Sequence, residues 1–290
     1  MSKAWKIEDP MPPLWLMYPE IQQFSIGWRM GYGEEYRYEF NDWFEKLPEA
    51  GQEQYQVMFP PPKTWHGYYD PKYKYSECES RLGKGRSFYG IDLWNDFGEP
   101  HYSKERLIKQ SGNKEFVFFW KPGDMELEPE CCFGQWQHSE FGCEYWNYTC
   151  AEQYMMAEKA RIFDDEEVEK LIMETDDPKQ IKALGRKVKN YDEQIWLNLR
   201  YSVVLNGNYY KFAQNKNMRD ILLATEDKIL VEASPLDKVW GIGYAKDSPA
   251  ATDPKAWRGL NLLGFALMEV RDEIRRVFAN YEKIDWSKFG

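Results

Sequence analysis

Apolar residues recur at helical spacing through most of the second half of the chain. TCAEQYMMAEKARIF opens with the Thr-x-x-Glu signature of a helix start at residues 149–152, and its periodicity runs to about Phe163. The same spacing predicts helices over 165–174, over 178–188 with Pro178 in the first turn, over 192–213 and near 217–224. The strongest periodicity lies in GLNLLGFALMEVRDEIRRVF, residues 259–278, which predicts a closing helix. Two short apolar runs, EFVFFW before Pro122 and Gly123 and KILVEAS at 228–234, read as strands. Residues 1–112 differ in texture. They are dense in Trp, Tyr, Pro and Gly, with turn-forming strings MGYGEE, FPPPKTWHGYYD and RLGKGRSFYG. Only EYRYEFNDWFEKL, residues 35–47, predicts a clear helix there, with Phe40, Trp43, Phe44 and Leu47 on one face.

This change of texture divides the chain into an accessory module, 1–112, whose aromatic density is explained by packing or by ligand stacking, and a domain, 113–290. At 290 residues and 43% hydrophobic content the chain has enough apolar surface for one large core or two modest ones. No window approaches the roughly 18 apolar residues of a membrane span. The start MSKAWKIEDPMPP has neither an apolar nor an Arg/Ser-rich targeting character, so a cytoplasmic location without membrane association is expected. Five cysteines, two of them adjacent at Cys131 and Cys132, suit free thiols in a reducing compartment.

The net charge of −10 argues against a long groove tracking a nucleic-acid backbone, because such grooves gain affinity by neutralising many phosphates. A compact pocket for one anionic group remains open. Any phosphate would go to the segment that carries Lys182, Arg186, Lys187, Lys189, Arg200, Lys211 and Lys216.

Two places concentrate chemistry. On the helix after Thr149, Glu152 and Lys159 are seven residues apart, close to two turns, and share a stripe with Met155 or Met156. Glu152 can equally reach back to cap its helix, and Lys159 can be a solvated surface lysine. The strand KILVEAS empties into PLDKVWGIGYA, which places Glu232 and Asp237 beside Trp240, with Gly241 and Gly243 leaving room for a ligand. A plain turn explains the same string.

Six ordered blocks, FGQW, TCAEQYMMAEKARIF, ALGRKVKNYDEQIW, YYKFAQN, LVEASPLDKVWGIG and GLNLLGFALMEVRD, together resemble the NADAR family, also called YbiA-like, over nearly all of residues 115–275. The resemblance implies an α+β, mainly helical domain with few short strands and N-glycosidase activity, and it leaves residues 1–112 uncovered. Carried over position by position, it implies catalytic roles for Glu152, Lys159, Trp196, Glu232 and Asp237. For substrate binding it implies Phe133, Gln135, Trp136, Arg186, Lys211, Phe212, Gln214, Trp240, Gly241, Gly243 and Asn261. Family members act on ADP-ribose attached to guanine in nucleic acid or on phosphorylated intermediates of riboflavin biosynthesis. The string EQYMMAEKA departs from the His-Tyr-Phe-type string of shorter relatives, which favours the first substrate here.

Cleaving a ribosyl C–N bond builds positive charge at the anomeric carbon while the leaving nitrogen needs a proton. Glu232 or Asp237 suits the first task, and Lys159, if buried, suits attack on an opened ribose as an imine-forming amine. Trp196 and Trp240 offer faces for a base, and Arg186 and Lys211 are the candidates for phosphate. No cofactor is expected. Two rivals stand beside the enzyme: a module that binds ADP-ribose or NAD without cleaving it, and a zinc protein suggested by Cys131, Cys132, His138, Cys143 and Cys150, whose spacings lack Cys-x-x-Cys pairs. Oligomeric state is not legible.

Overall fold

The computed structural model describes residues 7–70, 72 and 100–289, so the turn-forming string at 81–90 and the first six residues lie outside the described residues. In the amino-terminal segment the chain forms α1 (Leu14–Met17), α2 (Gly27–Met30), α3 (Gly33–Glu45) and α4 (Glu49–Met58), followed by α5 (Lys104–Lys109). Helix α3 is the helix expected at 35–47, and it buries Tyr36, Phe40 and Trp43 along one face. Helix α4 was not expected. Its string EAGQEQYQVM carries one buried residue, Tyr55, too narrow an apolar stripe to show periodicity. Tyr55 is nonetheless completely enclosed, and its hydroxyl donates to Met11 O at 2.6 Å.

The rest is mixed α+β and mainly helical: β1 (Phe116–Phe119), β2 (Phe141–Cys143), β3 (Trp146–Tyr148), α6 (Ala151–Ile162), α7 (Glu166–Met173), α8 (Pro178–Gly185), α9 (Glu193–Gln214), α10 (Lys216–Ala224), β4 (Ile229–Glu232) and α11 (Leu262–Val277). Aspartates set three of the helix starts. The side chains of Asp165, Asp177 and Asp192 accept from the backbone N–H of Val168, Lys179 and Ile195. Strands β1 and β4 pair in parallel with Phe119 opposite Glu232, while β2 and β3 form a small antiparallel hairpin that no alternation in the sequence announced. Its turn places Glu144 at φ +56°, and its first strand is held by Gln214, whose amide accepts from Gly142 N at 2.7 Å and donates to Gly142 O at 2.8 Å.

Helix α9 is the axis of the core. Every residue from Ser202 to Ala213 is buried, as expected of a helix covered on all sides. It packs against α6 and α11, and α6 also meets α7 and α8. Gly207 allows the α6 approach, since a Cβ there would lie 2.6 Å from the Tyr154 ring. The apolar cluster runs without interruption from Met11 to Ile284, so the amino-terminal segment shares it. Carboxylates secure that junction, Glu269 and Glu273 buried and Glu144 half-buried. Glu273 accepts from Lys63 N at 2.6 Å, Glu269 accepts from the backbone of His101 and Tyr102, and Glu144 accepts from Gln22 N at 2.9 Å and from the Ser25 hydroxyl. No helix among the described residues is long and apolar enough to cross a membrane.

Candidate active site

Three elements bring carboxylates together: the first turn of α6, the end of β4 and the loop that follows it. Glu152 does not cap its helix. The side chain that reaches back is Gln153, whose Oε1 accepts from Thr149 N at 2.8 Å and from the Thr149 hydroxyl, and whose Nε2 donates to Ile172 O and Thr175 O. A side chain one residue farther on serves the backbone, which leaves the Glu152 carboxyl for the interior, where the residue is 6% exposed. Burial raises its pKa above the usual carboxylate range, and Asp237 adds to the rise. Lys182, a hydrogen bond from the Trp136 side chain and Arg186 oppose it.

Glu232 is the last residue of β4. Its backbone N–H donates to Asn261 Oδ1 at 3.0 Å, and Asn261 Nδ2 donates to Leu230 O at 2.9 Å, tying the strand end to the start of α11. Asn261 achieves this in the left-handed region, at φ +55°, with no exposure. Burial pushes the Glu232 carboxyl up to about 8, with Asp237 and Glu152 adding repulsion and Lys182 partly offsetting it. Its Oε2 is buried and has no hydrogen-bond partner among the described residues.

Asp237 organises the loop. Its Oδ1 accepts from Val239 N and Trp240 N, both at 2.8 Å, and the turn closes when Ile242 N donates to Glu232 O at 3.0 Å. The two glycines serve this closure. A Cβ on Gly241 would lie 2.9 Å from Glu232 O, and Gly243 adopts φ +74°. The close approach at Gly241 is thus to the loop's own backbone, and at Gly243 to Arg258, whose Cβ would lie 2.9 Å from a Cβ added there.

Lys159 lies two turns beyond Glu152, and both meet α8: Glu152 is acted on by Lys182, while Lys159 Nζ donates to Gly185 O at 2.8 Å. Its ammonium sits 4.4 Å from the Tyr191 ring centre and 5.6 Å from that of Trp196, and burial lowers its pKa. Trp196 is 7% exposed and forms the floor of this niche. Trp136 and Trp240 are half-buried, with Lys182 5.7 Å from the first ring and Arg200 5.9 Å from the second.

Tyr191 was not singled out from the sequence, and Lys182 and Arg200 were named only as members of the basic segment. Lys182 precedes Arg186 by one helical turn, which was the available signal. Other predicted residues stand apart from the carboxylates. Phe133 and Phe212 are completely buried, with ring centres 6.3 Å apart. Lys211 is equally enclosed, donates to Gly134 O at 3.0 Å, neighbours Cys132, Cys150 and Cys131, and is lowered to about 8 by burial, so it does not present a charge at the surface for phosphate. Gln214 is committed to Gly142, and Arg186 is exposed at the rim. Among the described residues no group of three or more His, Cys, Asp or Glu is placed to hold a metal ion, and Cys131, Cys132, Cys143 and Cys150 are buried free thiols.

The class of protein is thus a mainly helical α+β domain with a carboxylate cluster where the end of a parallel strand pair and its following loop meet the first turn of α6. The NADAR domain family matches residues 118–275, and the chain belongs to that family. It is 43% identical over 146 residues to "N-glycosidase R617" of Acanthamoeba polyphaga mimivirus, covering 49% of this chain and 86% of that protein. It is 40% identical over 178 residues to "Protein irg-1" of Caenorhabditis elegans, covering 58% and 83%. To "N-glycosidase Npun_R5314" of Nostoc punctiforme it is 30% identical over 163 residues, covering 56% and 95%.

Proposed function

We propose that the chain is a hydrolase of N-glycosyl compounds that cleaves a ribosyl C–N bond, and that its substrate is ADP-ribose attached to guanine in nucleic acid. The observation that carries the chemistry is the gathering of three carboxyls, Glu152, Glu232 and Asp237, of which Glu232 has a buried oxygen with no hydrogen-bond partner among the described residues. Glu232, pushed up to about 8, keeps its proton at neutral pH, while Glu152, raised by burial, has a lysine and an indole N–H beside it that oppose the rise. Such a pair divides the work. As the C–N bond breaks, Glu232 gives its proton to the departing nitrogen, and Glu152, acting in its charged form, faces the charge growing at the anomeric carbon and takes a proton from the attacking water. Relatives named N-glycosidases support this class.

Two half-buried indoles, each with a cation near its face, favour a substrate with flat rings, and stacking on such faces contributes about 1–3 kcal/mol per base. The exposed Arg186 and Lys187 supply a local basic rim. A single nucleotide drawn out of a strand needs no more than that, which reconciles the nucleic-acid substrate with a net charge of −10.

The depressed Lys159 favours a second, covalent course at the same site. In a ring-opened N-glycosylamine, the neutral amine of Lys159 adds to C1, the guanine nitrogen leaves with a proton, and water then hydrolyses the lysine imine. Borohydride added during turnover would fix substrate-derived mass on Lys159. Active enzyme that never yields this adduct would exclude the covalent course.

The test of substrate is direct. Incubation with DNA carrying ADP-ribosyl-guanine is expected to release ADP-ribose. Release of ribose phosphate only from phosphoribosylamino-pyrimidines would assign the chain to riboflavin intermediates. Tight nucleotide binding without product from either would make it a sensor.

A further inference from the structure

Gln135 sits directly before Trp136, and its backbone carbonyl accepts from Glu152 N at 2.9 Å, so it borders the carboxylate cluster. Its side-chain amide has two ends, a donor and an acceptor, and a free amide would offer either to a ligand. The structure removes that choice. Asn208, in the middle of α9 and with no exposure, spends both hydrogens of its Nδ2: one on Val204 O at 2.8 Å, one on Gln135 Oε1 at 3.0 Å. Val204 O accepts only, so the Asn208 amide cannot turn over without setting two oxygens against each other. Asn208 Oδ1 is left buried with no partner among the described residues, a cost that the alternative orientation would not relieve. With Oε1 engaged, Gln135 Nε2 is the end left over, and it makes no hydrogen bond among the described residues.

We infer that Asn208 is a positioning residue that locks the Gln135 amide so that its NH2 group is presented to the substrate, selecting a ligand with a hydrogen-bond acceptor at that point. This rests on the N-glycosidase reading for its kinetic consequence, but the orientation itself does not. An oxo-purine edge has acceptors of this kind, whereas a ring bearing only donors there would meet N–H against N–H. Presenting a neutral donor beside Glu232 also fits a neighbourhood in which Asp237 and Glu152 supply acceptor oxygens.

Three variants test the lock. Asn208→Asp keeps the shape and has at most one hydrogen, which Val204 O takes, so Gln135 should turn over and donate to it. Gln135→Glu keeps the acceptor for Asn208 and removes the donor toward substrate. Gln135→Ala removes the relay. Side-chain amide NMR reads orientation without activity: the Gln135 NH2 should exchange quickly with water in the wild type and be protected in Asn208→Asp. Protection in the wild type would overturn the inference whatever the enzyme cleaves. In kinetics, Asn208→Asp and Gln135→Glu should each lose on the order of 10-fold in kcat/KM, mainly through KM. Adding Asn208→Asp to Gln135→Ala should change it by less than about 2-fold, because the residue acts through Gln135. Additive losses, or wild-type kcat/KM in Gln135→Glu, which retains every interior bond, would show Asn208 to be only structural. A wild type that cleaves neither substrate would defeat the glycosidase reading, while the NMR result would still decide the orientation.

Discussion

Two sets of buried glutamates in this molecule are treated in opposite ways. At the junction between the amino-terminal segment and the rest, Glu269 and Glu273 are each 4% exposed, and their oxygens are engaged by backbone N–H groups, with Arg276 also on Glu273. At the strand end, Glu232 has an oxygen without a partner among the described residues and two other carboxyls nearby, and burial drives its pKa to about 8. The first arrangement converts buried charge into cohesion. The second leaves it uncompensated, and a carboxyl held in that state is a proton store. Buried carboxyl oxygens are common to both; what differs is whether donors were supplied.

The sharpest way to break this contrast is Glu232→Gln. Loss of the acid should lower kcat/KM on the order of 10³-fold with the fold intact by circular dichroism, and activity near wild type would remove Glu232 from the chemistry. Glu273→Ala should do the reverse, costing about 2 kcal/mol of unfolding free energy in a denaturant titration while the folded fraction keeps its activity. Between these, Trp136→Phe, which deletes the indole donor to Glu152, should cost on the order of 10-fold in kcat/KM with little change in stability. Gln214→Ala, far from the carboxylates, should cost about 1 kcal/mol of stability and no activity.

Glu232 also gives the molecule a pH signature. Folded Glu232 holds its proton to about pH 8, whereas in the unfolded chain it releases it near the ordinary value of 4.5. The folded state therefore binds more protons between those values, and its stability should fall as pH rises through that window. Glu232→Gln should flatten this slope. Activity should decline above about pH 8 as the acid is lost, and a profile unchanged by the substitution would point to another group.

Much of the helical framework was readable because long helices repeat their apolar positions: α9 and α11 fell within a few residues of expectation. Helix α4 was not, because one buried tyrosine makes no period, and the β2–β3 hairpin was not, because three-residue strands are shorter than any alternation. The stripe of Glu152 and Lys159 was visible, but the helix-capping alternative for Glu152 failed on a detail that spacing cannot resolve. Gln153, one residue on, reaches Thr149 instead.

The sequence by itself determined the periodic helices, the two strands that pair, and the acidic and aromatic residues gathered in six ordered blocks. Those are properties of neighbours along the chain. Only tertiary structure decided which carboxyl would be bonded and which left bare, that Lys211 would be enclosed among thiols, that Lys182 would join Glu152, and that Asn208 would hold Gln135. A pKa or an amide orientation depends on groups brought near from distant positions and on water driven away, and neither is set until the chain has packed.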